Sequence, residues 1–220
     1  MATTVVPTIP AEWTLADLYE RLGGIPLERI RVVPPLGTAT EEDVLQSKRR
    51  FGRICELIDG VLVEKTMGWF ESRLAVLIGH FIESFLDAHN LGVVAGADGP
   101  VRLFPGQVRI PDVGFVSWEH LPGRKLPSQP IPALAPDLAV EVLSKGNTEA
   151  EMQRKLRDYF TAGVRLVWYV DPRTQSARAY TAEDQCTEIG PDGSLSGGEV
   201  LPGFELPLAE LFARAQRGEA

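Results

Sequence analysis

Asp112, Glu141 and Lys155 are the residues of this 220-residue chain whose types and spacing best suit chemistry. Asp112 interrupts the apolar run 110–117, and Glu141 interrupts the nearly all-apolar run 138–143. A buried carboxylate without a partner is costly, so each must take up a proton, pair with a cation or hold a metal. Under the two-residue alternation of a strand, Asp112 shares a face with Ile110, Gly114 and Val116, and Glu141 shares one with Ala139 and Leu143. Lys155 falls three residues after Met152 and four before Tyr159, on the border of a helical stripe that faces the sheet. Its stem can pack there while its ammonium reaches inward. Two acids and a lysine in that arrangement suit a divalent-metal site. Each also has a structural alternative: a buried ion pair for either acid, or a solvated edge lysine beside Arg154 and Arg157.

Other chemistries find little support. His80, His89 and His120 show no zinc-protease spacing, no phosphate-binding P-loop occurs, and the stretch 96–99 lacks a dinucleotide fingerprint. Cys55 and Cys186 stand far apart in no metal-ligand spacing, as expected of free thiols in a reducing compartment. A formal charge of -8 argues against binding nucleic acid by bulk positive charge, so any DNA contact must be local. Lys48, Arg49, Arg50 and Arg53 form a basic run that could touch phosphate or simply be a wet surface. The start of the chain lacks a basic segment leading into an apolar one, and the most apolar stretch, around 74–78, is too short to span a bilayer. The expectation is a soluble cytoplasmic protein.

The elements that must position these residues follow from periodicity and punctuation. A short lead-in helix is predicted over 13–22, ended by Gly23 and Gly24, while 25–50 gives no clear pattern. Asp59-Gly60 between apolar flanks predicts a hairpin over 56–66. Phe70, Leu74, Leu77, Phe81 and Phe85 paint one stripe on a long helix over 69–90. Strands are expected over 93–95, 101–104, 110–117 and 138–143, the last covered on both faces. Thr148 with Glu151 forms a capping box for the next helix, whose buried face carries Met152, Leu156, Tyr159 and Phe160 and which Gly163 stops. Strands over 164–170 and 177–181 and a final helix near 208–215 complete the reading.

Several ordered motifs together resemble the Uma2 (DUF820) family: Glu56 to Gly60, Arg109 to Val113 and Pro136 to Ser144. Lys155 with Tyr159, Ala162 to Val164, Val167 to Pro172 and Leu201 to Phe204 continue the resemblance, which spans roughly 50–212. It implies an α/β fold of the PD-(D/E)xK restriction-endonuclease-like type, a mixed β-sheet core flanked by helices. Extra N- and C-terminal elements are expected, with a lead-in segment over 1–50 and the nuclease-like domain over 51–220. By the same resemblance Asp112, Glu141 and Glu71 would bind Mg²⁺, with Mn²⁺ as a substitute. Glu71 equally suits a solvated first-turn position that favours the helix dipole. The lysine of the general pattern should stand two residues after the second acid, where this chain has Leu143. Lys155 on the following helix would replace it, with Lys145 as runner-up. The implied activity is hydrolysis of phosphodiester bonds in DNA. The alternative is a catalytically silent relative serving as a binding or dimerisation module, and the resemblance leaves room for a homodimer.

Overall fold

The computed structural model describes residues 9, 10 and 12–217. In chain order the elements begin with α1 (Leu15–Arg21), β1 (Ile30–Arg31), α2 (Glu41–Phe51), β2 (Cys55–Ile58), β3 (Val61–Glu64) and α3 (Trp69–His89). The middle of the chain forms β4 (Gly92–Gly96), β5 (Val101–Phe104), β6 (Gln107–Arg109), β7 (Val113–Ser117), β8 (Leu138–Val142) and α4 (Glu149–Thr161). It closes with β9 (Leu166–Asp171), β10 (Ser176–Ala182), β11 (Gln185–Ile189), β12 (Ser194–Ser196), β13 (Glu205–Pro207) and α5 (Leu208–Ala215).

Two larger sheets result. A six-stranded sheet runs β11-β10-β9-β8-β7-β4, with β8 and β9 parallel and its other pairs antiparallel. A five-stranded antiparallel sheet runs β1-β3-β2-β6-β5. The parallel pair needs a crossover, and α4 supplies it. One face of β8 puts Leu138, Val140 and Val142 against α3 and α5, in a core that also holds Leu74, Ile78, Trp168 and Leu211. Its other face puts Ala139 against Met152, Leu156 and Tyr159 of α4. Every residue of β8 is buried, as two covered faces require.

The hairpin between β2 and β3 turns on Asp59 and Gly60, both at positive φ, 50° and 75°, the geometry a two-residue turn of this twist demands. At Gly60 a side chain would also strike the carbonyl oxygen of Gly37, 2.5 Å from the Cβ position, so glycine lets the lead-in segment lie close.

Three expectations from the sequence are corrected. The run 110–117 is not one strand: β6 ends at Arg109 in the small sheet, and β7 begins at Val113 in the large one. Pro111 between them has no N–H to donate, so the ladder breaks and the chain changes sheets there. Asp112 therefore stands at the crossing between sheets rather than inside a strand. Secondly, Thr148 does cap α4, accepting from the Glu151 N–H at 3.1 Å, but the Glu151 carboxylate does not return to the cap. It is taken by Arg29, with both guanidinium nitrogens within 2.9 Å. Thirdly, the stretch 25–50 is not featureless, because α2 occupies its end with Thr40 as cap and Gly52 in the left-handed region after it. The basic run on and after α2 is largely engaged: Lys48 meets Asp98, Arg49 meets Glu42, and Arg53 meets Glu64.

Cys55 is buried and Cys186 exposed, both as free thiols. Among the described residues no helix is long and apolar enough to cross a membrane.

Candidate active site

The site is assembled from both sheets and from the helix that bridges them. Asp112 follows Pro111 at the sheet crossing. Its backbone N–H donates to the Val140 carbonyl at 2.9 Å, and its Oδ2 accepts the Val142 N–H at 2.7 Å. Asp112 thus grips β8 on either side of Glu141, which fixes the two acids as neighbours. Glu141 points to the α4 side of the large sheet. Its Oε2 lies 3.0 Å from Lys155 Nζ, and its Oε1 accepts a hydrogen bond from the Tyr159 hydroxyl. Lys155 and Tyr159 are one helical turn apart on α4, so both reach the same carboxylate.

The small sheet contributes the remaining charges. Glu56 of β2 takes Lys155 Nζ at 3.2 Å on Oε1, the Ile110 N–H at 3.0 Å on the same oxygen, and Arg109 at 2.7 Å on Oε2. Arg109 of β6 also pairs with Asp158 of α4, which accepts from Gln107 Nε2 at 2.5 Å. Lys65, just beyond β3, places Nζ 2.7 Å from Asp112 Oδ1 and donates to the Ile110 carbonyl at 2.6 Å. Four carboxylates (Glu56, Asp112, Glu141 and Asp158) therefore face three cations (Lys65, Arg109 and Lys155), and the acids are in excess by one.

Electrostatics separates the acids. Burial alone would push Glu56 up, but Lys155, Arg109 and Lys65 together outweigh it and hold the carboxyl at about 2. Glu141 moves the other way: burial raises it, Lys155 opposes, and the Asp112 charge adds to the rise. Burial would strip the Lys155 ammonium of its proton, yet Glu141 and Glu56 more than compensate and keep it charged. Burial and the Glu141 charge push the Tyr159 hydroxyl well above the usual tyrosine range, so it remains a donor. Burial and charge thus move Glu141 and Glu56 in opposite directions.

The donor set fits a hard divalent cation. Asp112 is 3% exposed, and its Oδ1 accepts no backbone N–H and faces the Lys65 ammonium at 2.7 Å, so it keeps a lone pair to offer. Beside it stands Glu141, whose ionised form a cation would favour. Mg²⁺ is commonly held by one or two protein carboxylates, with water and substrate oxygens filling its octahedron. A third protein ligand is not gathered: among the described residues no three His, Cys, Asp or Glu side chains are grouped to hold a metal. Glu71, in the first turn of α3, folds its carboxylate over Gly68 and makes no hydrogen bond or ion pair among the described residues. Of the two candidate lysines, Lys155 is in the cluster, 4% exposed, while Lys145 lies exposed in the turn after β8. The histidines serve elsewhere. His120 bonds Asp137 at the start of β8, His89 bonds the Phe85 carbonyl, and His80 faces Arg214.

Over residues 42–209 the sequence matches the model of Uma2, described as "Putative restriction endonuclease". The chain belongs to the Uma2 family. Among solved structures, a "putative nuclease belonging to DUF820 from Anabaena variabilis ATCC 29413" matches with a TM-score of 0.66 at 18% identity. The match covers 74% of this chain and 92% of that one, so the two share a fold. No curated protein matches the chain. In this Uma2 chain Glu56, Lys65, Arg109 and Tyr159 join the cluster without having been singled out as site residues from the sequence. Glu56 and Lys65 flank the Asp59-Gly60 turn, and an acid inside the short apolar strand 55–58 is the same signal that drew attention to Asp112. Lys65 carried no such signal, because it follows the last strand residue at a position that reads as solvent.

Proposed function

We propose that this Uma2 protein is a divalent-metal-dependent endonuclease that hydrolyses phosphodiester bonds in DNA, with Asp112 and Glu141 as metal ligands and Lys155 as the catalytic lysine. The observation that carries the reading is the pair of buried carboxylates, Asp112 and Glu141, each beside a buried ammonium. Mg²⁺ at that pair would lower the pKa of a bound water and offset charge building on the phosphoryl oxygens. Lys155 would orient the attacking water or bond the pentacovalent phosphate, and Tyr159 would hold the Glu141 carboxylate in place. All three principal residues are at most 5% exposed, so a phosphodiester would reach them only after the chain over the site moves aside. Glu71, three residues past Gly68, would then be the acid placed to join the ion as a third ligand. The nuclease-like domain spans 51–220 on this reading, with 1–50 as lead-in, in a cytoplasmic setting.

A second reading has its own observation. Each site carboxylate already faces a lysine or arginine, a closed network that would also suit a silent nuclease fold used for binding or dimerisation. Plasmid nicking separates the two. Wild type should nick plasmid DNA in Mg²⁺ and Mn²⁺, and Asp112→Ala and Glu141→Ala should abolish it. Lys155→Ala should cut poorly while still binding metal, and Lys145→Ala should cut as wild type does. Equal nicking by wild type and Asp112→Ala assigns the activity to a contaminant and removes the nuclease reading.

A further inference from the structure

We propose that Lys65 is a built-in counter-ion of the divalent-cation site, its ammonium holding the cation's place beside Asp112 until the ion displaces it. The inference rests on the assignment of Asp112 as a metal ligand and concerns how that site is kept before loading.

Asp112 has one oxygen committed and one not. Oδ2 takes the Val142 N–H, and Oδ1 accepts no backbone N–H. Lys65 Nζ stands 2.7 Å from Oδ1 as an ion pair and also donates to the Ile110 carbonyl at 2.6 Å and the Ala97 carbonyl at 3.4 Å. The ammonium is thus shared between the carboxylate and backbone carbonyls. A Mg²⁺ or Mn²⁺ ion on Oδ1 would sit about 2.1 Å away. That ion and an ammonium at 2.7 Å would meet on one buried oxygen, where like charges repel strongly. Each cation weakens the hold of the other.

Lys155 is not built for this exchange, since Glu141 and Glu56 hold it from two sides. Lys65 is. Its backbone is anchored by its N–H to the Ile54 carbonyl at 2.8 Å, at the end of β3, while its side chain carries a flexible four-carbon stem. Asp98, next to Ala97, is 65% exposed, and its pKa is lowered chiefly by its bond to Lys48 at 2.8 Å and less by the Lys65 charge. A displaced ammonium would join Lys48 at that carboxylate. The arrangement also answers a stability problem. Without an ion, Asp112 would be a buried charge with no cation, and Lys65 supplies one.

The test is calorimetric titration of Mn²⁺ into the DNA-free full chain, with melts in parallel, for wild type, Lys65→Met, Lys65→Arg and Asp112→Asn. Lys65→Met should bind Mn²⁺ about tenfold tighter or better, since the competing charge is gone, and should melt lower than wild type without metal. Lys65→Arg keeps the charge and should bind no tighter than wild type. If Lys65→Met is unfolded without metal, Mn²⁺ should restore its circular dichroism; failure to do so overturns the proposal. Equal or weaker Mn²⁺ binding by Lys65→Met, in a series where Asp112→Asn loses binding, overturns the counter-ion role and leaves the metal site standing. Equal binding by wild type and Asp112→Asn removes the metal site itself, and the counter-ion role with it.

Discussion

At Lys155 the ammonium lies between Glu141 Oε2 and Glu56 Oε1, at 3.0 and 3.2 Å, so Lys155→Met leaves two buried carboxylates without their shared cation. Breaking a buried ion pair from one side costs about 3–5 kcal/mol, and chemical denaturation should show a loss of that size. Lys145→Ala, at an exposed turn, should stay within about 0.5 kcal/mol of wild type in the same experiment. The two acids also predict opposite pH behaviour. Glu56 is depressed from 4.5 to about 2, so its contribution to stability is complete above 4.5 and is lost as the pH falls toward 2. Glu141 is raised, so the folded state gains as the pH falls through its folded value. Melting temperature measured against pH should therefore lose its acid decline between 4.5 and 2 in Glu56→Gln. In Glu141→Gln the gain above 4.5 should disappear instead; unchanged profiles in both would contradict the charge assignment. At this scale the sequence made Asp112, Glu141 and Lys155 legible, because a charge inside an apolar period stands out. Their partners were not, because Glu56 and Lys65 reach them only through a sheet crossing that no local pattern encodes.

Among the elements, the long helices and the β2–β3 hairpin were readable because stripe, cap and turn residues agree with one another. The run 110–117 reads as one strand because its alternation continues straight through Pro111, and only the missing N–H gives the break away. The attachment of the lead-in segment to α4 was hidden for a different reason: its contacts are long-range and polar. Arg29 bonds Glu151, Thr148 donates to the Gly23 carbonyl, and Arg154 donates to the Arg21 carbonyl and to Asp59. Gly23 has φ +87°, and a Cβ there would lie 2.5 Å from the Glu151 nitrogen. Gly23→Ala combines strained backbone with a clash against main chain, and should cost about 1–3 kcal/mol. Melts read the cost. Limited proteolysis should show cleavage within 12–40 rising before the rest of the chain yields, and no change in either would mean that this junction carries little of the fold.

For the molecule as a whole, the cluster is a seam: Glu56, Lys65 and Arg109 come with the small sheet, Glu141 with the large one, Lys155 and Tyr159 with α4, and Asp112 with the crossing. On the proposed metal site an ion would tie these parts together, so Mg²⁺ at about a hundred times its Kd should stabilise the fold by about 2.7 kcal/mol. The gain should be largest near neutral pH and shrink in acid, where Glu141 takes a proton instead. Melts with and without Mg²⁺ that coincide for wild type and Asp112→Asn alike would argue against the ion. The seam has a further consequence in the order of synthesis. Glu56 and Lys65 leave the ribosome first, Asp112 follows, and Lys155 and Tyr159 emerge last of the set. A nascent chain can build most of the small sheet early, yet it holds no complete centre until α4 has been made and has closed over β8. A chain cut short by stalled translation anywhere before Lys155 would be released without the ammonium that Glu56 and Glu141 share, so a truncated product would carry these two acids without their common cation.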